Sequence, residues 1–147
     1  MFNKNENEKL SRILAIDFGA KRIGLALCDP LKTFAYPYAT IPNNDLVFKE
    51  LKKIVTEQEV EKIILGNPLR EDGQVSRMLK PIMEFKTKLE KDLTLEVILV
   101  DESYSSSTAQ ERIIASVPKK SKRREKGLVD RNAAAVILQE YLLENEL

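Results

Sequence analysis

Short apolar runs and helical stripes alternate along this chain, and their order predicts its elements. Ile13-Leu14-Ala15-Ile16 is a buried-strand run rich in branched residues, and it ends in Asp17. Phe18-Gly19-Ala20-Lys21-Arg22 breaks the run, and Ile23-Gly24-Leu25-Ala26-Leu27-Cys28 resumes it, so the two strands read as a hairpin with a five-residue turn. Lys32–Ile41, where Phe34, Tyr36 and Tyr38 alternate, predicts a third strand, and Pro37 favours a sheet edge for it. Pro42-Asn43-Asn44-Asp45 is a helix-start signal, and Val47, Phe48, Leu51, Ile54 and Val55 mark one face of the helix that follows. Glu59–Leu65 predicts a strand running into Gly66-Asn67-Pro68-Leu69 and the turn Glu71-Asp72-Gly73. Met78, Ile82, Phe85 and Leu89 recur at helical spacing, with Pro81 requiring a kink or a late start. Leu95–Val100 is a further strand, ending at Asp101-Glu102. Ser107 with Gln110, or Thr108 with Glu111, has capping-box spacing ahead of a helix through Ile113, Ile114 and Val117, which Pro118 ends. Lys119–Lys126 reads as a mobile charged loop. Asp130 then precedes a last helix, apolar nearly all round and so expected to be buried.

Three hairpin-linked strands followed by strand–helix units predict an α/β fold: a mixed five-stranded sheet flanked by helices, with an antiparallel three-strand set and two parallel strands. At 147 residues the chain is expected to form one domain with a substantial core, over residues 13–147. Met1–Arg12 is polar and mixed in charge, so it reads as a disordered lead-in and not as a signal peptide. No apolar run approaches the roughly 20 residues of a membrane helix. The predicted strand ends carry Asp17, Gly66-Asn67 and Asp101-Glu102. Ligands of open α/β sheets bind where such ends splay apart, so the three segments are candidates for one rim.

Composition narrows the chemistry chiefly by an absence. There is no histidine, which removes the Ser-His-Asp triad, histidine general bases and His-containing zinc sites. The lone Cys28 cannot build a thiolate zinc site or an intramolecular disulfide. A hydrolase made from this chain is left with carboxylates, most simply holding Mg²⁺ or Mn²⁺. Net charge is +1, so any nucleic-acid signal must be local. Lys119, Lys120, Lys122, Arg123, Arg124 and Lys126 form one such cluster, Lys21 with Arg22 forms a second at the proposed rim, and Asn67 is a further candidate nucleic-acid contact. A solvated loop is the plain alternative for the first cluster.

Four motifs in order resemble the YqgF/RuvX family, Holliday-junction-resolvase-like proteins also called pre-16S rRNA nucleases. They are Asp17-Phe18-Gly19 with Lys21-Arg22-Ile23-Gly24, Gly66-Asn67-Pro68-Leu69 with Asp72-Gly73, Val100-Asp101-Glu102, and Asp130-Arg131-Asn132-Ala133-Ala134. The resemblance covers roughly Ile13 to Leu142. It implies an RNase H-like fold, a cytoplasmic protein and a metal-dependent endonuclease that matures precursor ribosomal RNA or resolves branched DNA. It also implies Asp17, Glu102 and Asp130 as catalytic metal ligands for Mg²⁺ or Mn²⁺, with Asp101 in reserve for Glu102. The implied partners are nucleic acid and the small-subunit precursor, with no membrane, and the chain a monomer or weak homodimer. Two positions depart from the family pattern: Ser103 stands where arginine is usual, which removes a phosphate contact, and Asn67 stands where an apolar residue is usual. Each carboxylate also has a purely structural reading. Asp17 can start a turn, Glu102 can lie exposed in a loop and Asp130 can cap the last helix. Two other functions compete with the nuclease: a non-catalytic RNA-binding assembly factor on the same surface, and an actin-like or sugar-kinase-like ATPase using Asp17-Phe18-Gly19.

Overall fold

Three antiparallel strands open the chain: β1 (Arg12–Asp17), β2 (Arg22–Cys28) and β3 (Ala35–Pro42). Helix α1 (Val47–Glu57) leads to β4 (Val60–Pro68), α2 (Leu79–Leu93) to β5 (Glu96–Glu102), and α3 (Lys126–Glu144) follows. The computed structural model describes residues 11–68, 79–102 and 126–145. The described strands form one sheet in the order β3-β2-β1-β4-β5, with β4 and β5 parallel to β1. This is the anticipated mixed sheet, and β3 lies at its edge as Pro37 requires.

The pleat sorts the strand residues into two cores. Leu14, Ile16, Ile23, Leu25, Leu27, Ile63, Leu65 and Val97 meet α1 and α2, through Val47, Leu51, Ile54, Ile82, Phe85 and Leu89. The alternate positions Ile13, Ala15, Ala26, Cys28 and Ile64 meet Ala134, Ala135, Leu138 and Leu142 of α3. That second interface includes the small residues Ala15, Ala26, Ala134 and Ala135, which let α3 lie close to the sheet at these points.

Several boundaries differ from the sequence pattern: β3 runs Ala35–Pro42 and not Lys32–Ile41, so Pro42 closes a strand instead of opening the helix signal, and β5 runs Glu96–Glu102 and not Leu95–Val100. β1 takes in Arg12, whose N–H donates to the Glu59 carbonyl at 3.0 Å, so the polar lead-in stops short of it. β4 does not end at Leu65, because the parallel ladder to β5 continues through Gly66↔Val100, Asn67↔Asp101 and Pro68↔Glu102. Glu59 is not its first residue but sits at φ 52°, in the left-handed region between α1 and β4. α3 begins at Lys126, so Lys126 belongs to a helix and not to a loop, and Asp130 lies inside that helix rather than capping it. Pro81 resolves as a late start: α2 begins at Leu79, and a proline in the first turn sacrifices no helical hydrogen bond. The residues from Met1 to Leu10, the turn Glu71–Gly73, Met78, the helix through Ile113–Val117 and the basic positions Lys119–Arg124 lie outside the described residues.

Gln139 is the one buried polar side chain among the described residues, at 1% exposure. Its Oε1 accepts the Ala35 N–H at 2.9 Å and its Nε2 donates to the Thr33 carbonyl at 3.4 Å. The amide therefore satisfies backbone groups at the start of β3 and pins the lower half of α3 there.

Candidate active site

β1 delivers Asp17 to the sheet rim, and the pleat gives it the α3 face, since Ile13 and Ala15 lie on that face. Its neighbour Phe18 packs against the opposite core, ring to ring with Phe85 at 4.8 Å. The turn that follows is tight: a Cβ on Gly19 would fall on the Arg22 carbonyl, so glycine is required there by space. Asn43 holds the turn from outside. Its Nδ2 donates to the Gly19 carbonyl at 2.8 Å, and its N–H donates to the Lys21 carbonyl at 2.9 Å. Asp17 is half-buried, Lys21 is exposed and Arg22 is half-buried as the first residue of β2.

Register places Asp17 in a row across the sheet. It stands opposite Gly24 of β2 on one side and Gly66 of β4 on the other. Beyond them come Thr40 of β3 and Val100 of β5. Both cross-strand neighbours of Asp17 are glycines, so neither of these two positions places a side chain beside the carboxylate. Because β1, β4 and β5 are parallel, their C-terminal ends share this rim. Glu102 is the last residue of β5, two beyond Val100, which packs in the α3-side cluster. Asp101 has the alternate parity, that of Val97 and Leu99, which pack on the α1–α2 side. Asn67 also has the alternate parity, that of Ile63 and Leu65, so it does not share the Asp17 row.

Helix α3 runs from this rim downward, with Arg131 bonded to Thr40 near its start and Gln139 bonded at Thr33 and Ala35 further along. Ala135, Leu138 and Leu142 form its central stripe on the sheet. Gln139 marks the flank toward β3. Tyr141 marks the flank toward β4, where its hydroxyl accepts from Lys62 Nζ at 3.5 Å. Helical phase puts position 130 on the Tyr141 flank, with Ala134 and Ile137 between. α3 packs chiefly on β2 and β3, so this flank is the one turned toward β1, the strand that carries Asp17.

Among the described residues no three potential metal-ligating side chains stand together, and of the three carboxylates only the Asp17 side chain is described. Cys28 offers no alternative nucleophile. Burial pushes its thiol up, against the opposing Ile13 N–H, which donates to Sγ at 3.2 Å. The sequence assigns no place in the site to Arg131, Thr40, Asn43 or Gln139, although Arg131 stands in a family motif, Asn43 in a helix-start signal and Gln139 as a polar break in an apolar helix face.

The fold class follows from solved structures. The chain superposes on Thermus thermophilus RuvC in complex with a Holliday junction substrate at TM-score 0.61, with 10% identity, over 92% of this chain and 97% of that one. It superposes on the fowlpox virus resolvase in complex with Holliday junction DNA at TM-score 0.55 and 14% identity, over 92% and 99%. The chain thus has the RNase H-like fold of the junction resolvases. It belongs to the RuvX (YqgF) family of phosphodiester-hydrolysing nucleases, whose model, described as Holliday junction resolvase, matches residues 11–144. Relatives named "putative pre-16S rRNA nuclease" share 40% identity with it in Chlorobaculum tepidum, over 89% of this chain and 92% of the relative. One of the same name in Porphyromonas gingivalis also shares 40%, over 90% and 96%. No described helix is long and apolar enough to cross a membrane.

Proposed function

We propose that the protein is a metal-dependent endonuclease of the cytoplasm that trims the 5′ end of precursor 16S ribosomal RNA, with Asp17, Glu102 and Asp130 as its catalytic carboxylates. The observation that carries this reading is the Asp17 row: a strand-end carboxylate between two glycines, on the face covered by α3, at the rim shared by β1, β4 and β5. The parity of β5 favours Glu102 over Asp101, and the phase of α3 favours Asp130. From β1 to β5 the sheet spans two strand spacings, about 10 Å, which suits the longer glutamate arm at the far position.

The donor set fits a hard divalent cation. Three carboxylates and no imidazole or thiolate match the oxygen preference of Mg²⁺ or Mn²⁺. Such an ion, when bound, lowers the pKa of a water and offsets charge at the scissile phosphate. The chain's own part is to hold three carboxylates on rigid elements. Phe18 and Asn43 brace the turn behind Asp17, and the missing side chains at Gly24 and Gly66 leave lateral room. Lys21, Arg22 and the Lys119–Lys126 run supply phosphate contacts that give affinity without sequence preference, with Asn67 a weaker candidate from the alternate parity.

Branched DNA is the second reading, supported by the family description and the likeness to two junction-bound resolvases. The test is cleavage of a precursor rRNA fragment and of a four-way DNA junction by the purified chain, with Mg²⁺, Mn²⁺ or EDTA. Metal-dependent cleavage of the RNA is expected. Cleavage of the junction alone would assign the DNA reading, and binding to the RNA without cleavage of either substrate would assign an assembly factor.

A further inference from the structure

One polar contact ties the start of α3 to the sheet on the very row that holds Asp17. Arg131 Nη1 donates to Thr40 Oγ1 at 3.3 Å. Arg131 directly follows Asp130. Thr40 stands opposite Gly24, and Gly24 stands opposite Asp17, so the anchor lies two strands from the carboxylate on the same face. Gly24 puts no side chain between them.

Beside this bond the described α3 interface holds small apolar contacts, Ala134 and Ala135 with Ala15 and Ala26, and the amide of Asn132, whose buried Oδ1 accepts no hydrogen bond among the described residues. The apolar contacts are non-directional, so they do not by themselves select one roll of the helix. Rolling would carry position 130 sideways, toward or away from β1. Gln139 fixes the helix only further down, about two turns from Arg131. The Arg131–Thr40 bond adds a directional contact at the rim itself, one residue from position 130.

We propose that Arg131 is a positioning residue: its bond to Thr40, with Gln139 further down, fixes the roll of α3 and so sets the flank of the helix on which position 130 lies. This rests on the three-carboxylate reading. The rival role for Arg131 is a direct contact to a substrate phosphate, and the two roles separate experimentally because Thr40 belongs only to the first.

The test uses the full chain with Arg131→Met, Thr40→Val, the double variant, and Thr40→Ser as the conservative rescue. Mn²⁺ binding is titrated by electron paramagnetic resonance without nucleic acid, and kcat and KM are measured on the cleaved substrate. Arg131→Met and Thr40→Val are each expected to weaken Mn²⁺ binding and lower kcat by about tenfold, the usual cost of losing a group that orients a ligand. KM should not change, Thr40→Ser should match the wild type, and the double variant should be no worse than either single one. Additive losses would overturn the proposal, as would unchanged Mn²⁺ affinity in Thr40→Val. A raised KM confined to Arg131→Met would assign the phosphate contact instead. If Arg131→Met does not fold, Thr40→Val against Thr40→Ser decides, since that pair differs by removal of the acceptor oxygen. Asp17→Asn separates the two levels. Loss of Mn²⁺ binding there with wild-type behaviour in Thr40→Val removes only the positioning role, whereas wild-type Mn²⁺ binding in Asp17→Asn removes the carboxylate site and this role with it.

Discussion

The Phe18 and Phe85 rings lie 4.8 Å apart at a tilt of 51°, on the opposite side of the sheet from the face that takes Asp17. Two consecutive residues thus do two jobs. Phe18 is half-buried against α2 and so fixes the backbone from which Asp17 projects. Phe18→Ala is expected to cost roughly 1–3 kcal/mol, because it removes a tilted aromatic pair and part-buried area. Turnover should fall while substrate affinity holds. Urea unfolding and steady-state kinetics measure the two effects, and a stable but inactive Phe18→Leu would point to a role for the ring beyond packing.

Gln139 gives a second prediction. Gln139→Leu keeps the volume near that of the original but leaves the Ala35 N–H and the Thr33 carbonyl without their partner. Leaving these part-buried backbone groups unpaired, with water able to reach the exposed Thr33, costs about 1 kcal/mol. The urea midpoint should drop accordingly, with the slope unchanged. No loss would mean that water replaces the amide.

Acid stability follows from two carboxylates away from the site. Burial acts to raise Asp29, but the Phe34 and Thr33 N–H groups, each donating to Oδ1 at 2.7 Å, outweigh it and hold the carboxyl below its usual value. Glu61 is also held low, first by Lys32 at 2.8 Å and then by Ser11. Both folded values are depressed, so their stabilisation is present above the unfolded carboxylate pKa and is lost as pH falls through the folded one. Stability should therefore decline from about pH 4 downward. Asp29→Asn should be less stable than wild type at neutral pH and converge on it in acid. A gap that stays constant with pH would contradict this.

The basic run yields a salt dependence. If three to four of Lys119, Lys120, Lys122, Arg123, Arg124 and Lys126 meet phosphates, replacing all six with serine should flatten the slope of log affinity against log salt by about two to three units. The loss should be alike for unrelated sequences, since phosphates carry no sequence information. A salt titration of wild type and variant on one RNA measures it. An unchanged slope would leave Lys21 and Arg22 as the next residues to test.

Much of this architecture is written in local pattern. The Ile13–Ile16 and Ile23–Cys28 runs, the stripe of Val47, Leu51 and Ile54, and the edge proline Pro37 each announce their element. What is not local was misjudged or missed. β4 runs on to Pro68 because β5 pairs with it, a contact that Gly66-Asn67-Pro68 does not advertise. The start of α3 at Lys126 was hidden by a charge run that reads equally as a loop. The acidic positions of the candidate site were legible through family motifs, but the Asp17–Gly24–Gly66 row and the Arg131–Thr40 bond are products of register and helix roll, which no single segment encodes.

The most direct measurement is metal-dependent cleavage by wild type, Asp17→Asn, Glu102→Gln and Asp101→Asn, at matched purity and with folding checked by circular dichroism. The amide swaps keep shape and remove the negative charge that a divalent ion requires. Cleavage should be abolished in Asp17→Asn and Glu102→Gln and reduced only mildly in Asp101→Asn. Full activity in Asp17→Asn would contradict the carboxylate mechanism outright, and loss in Asp101→Asn with retention in Glu102→Gln would show that the other parity of β5 faces the site.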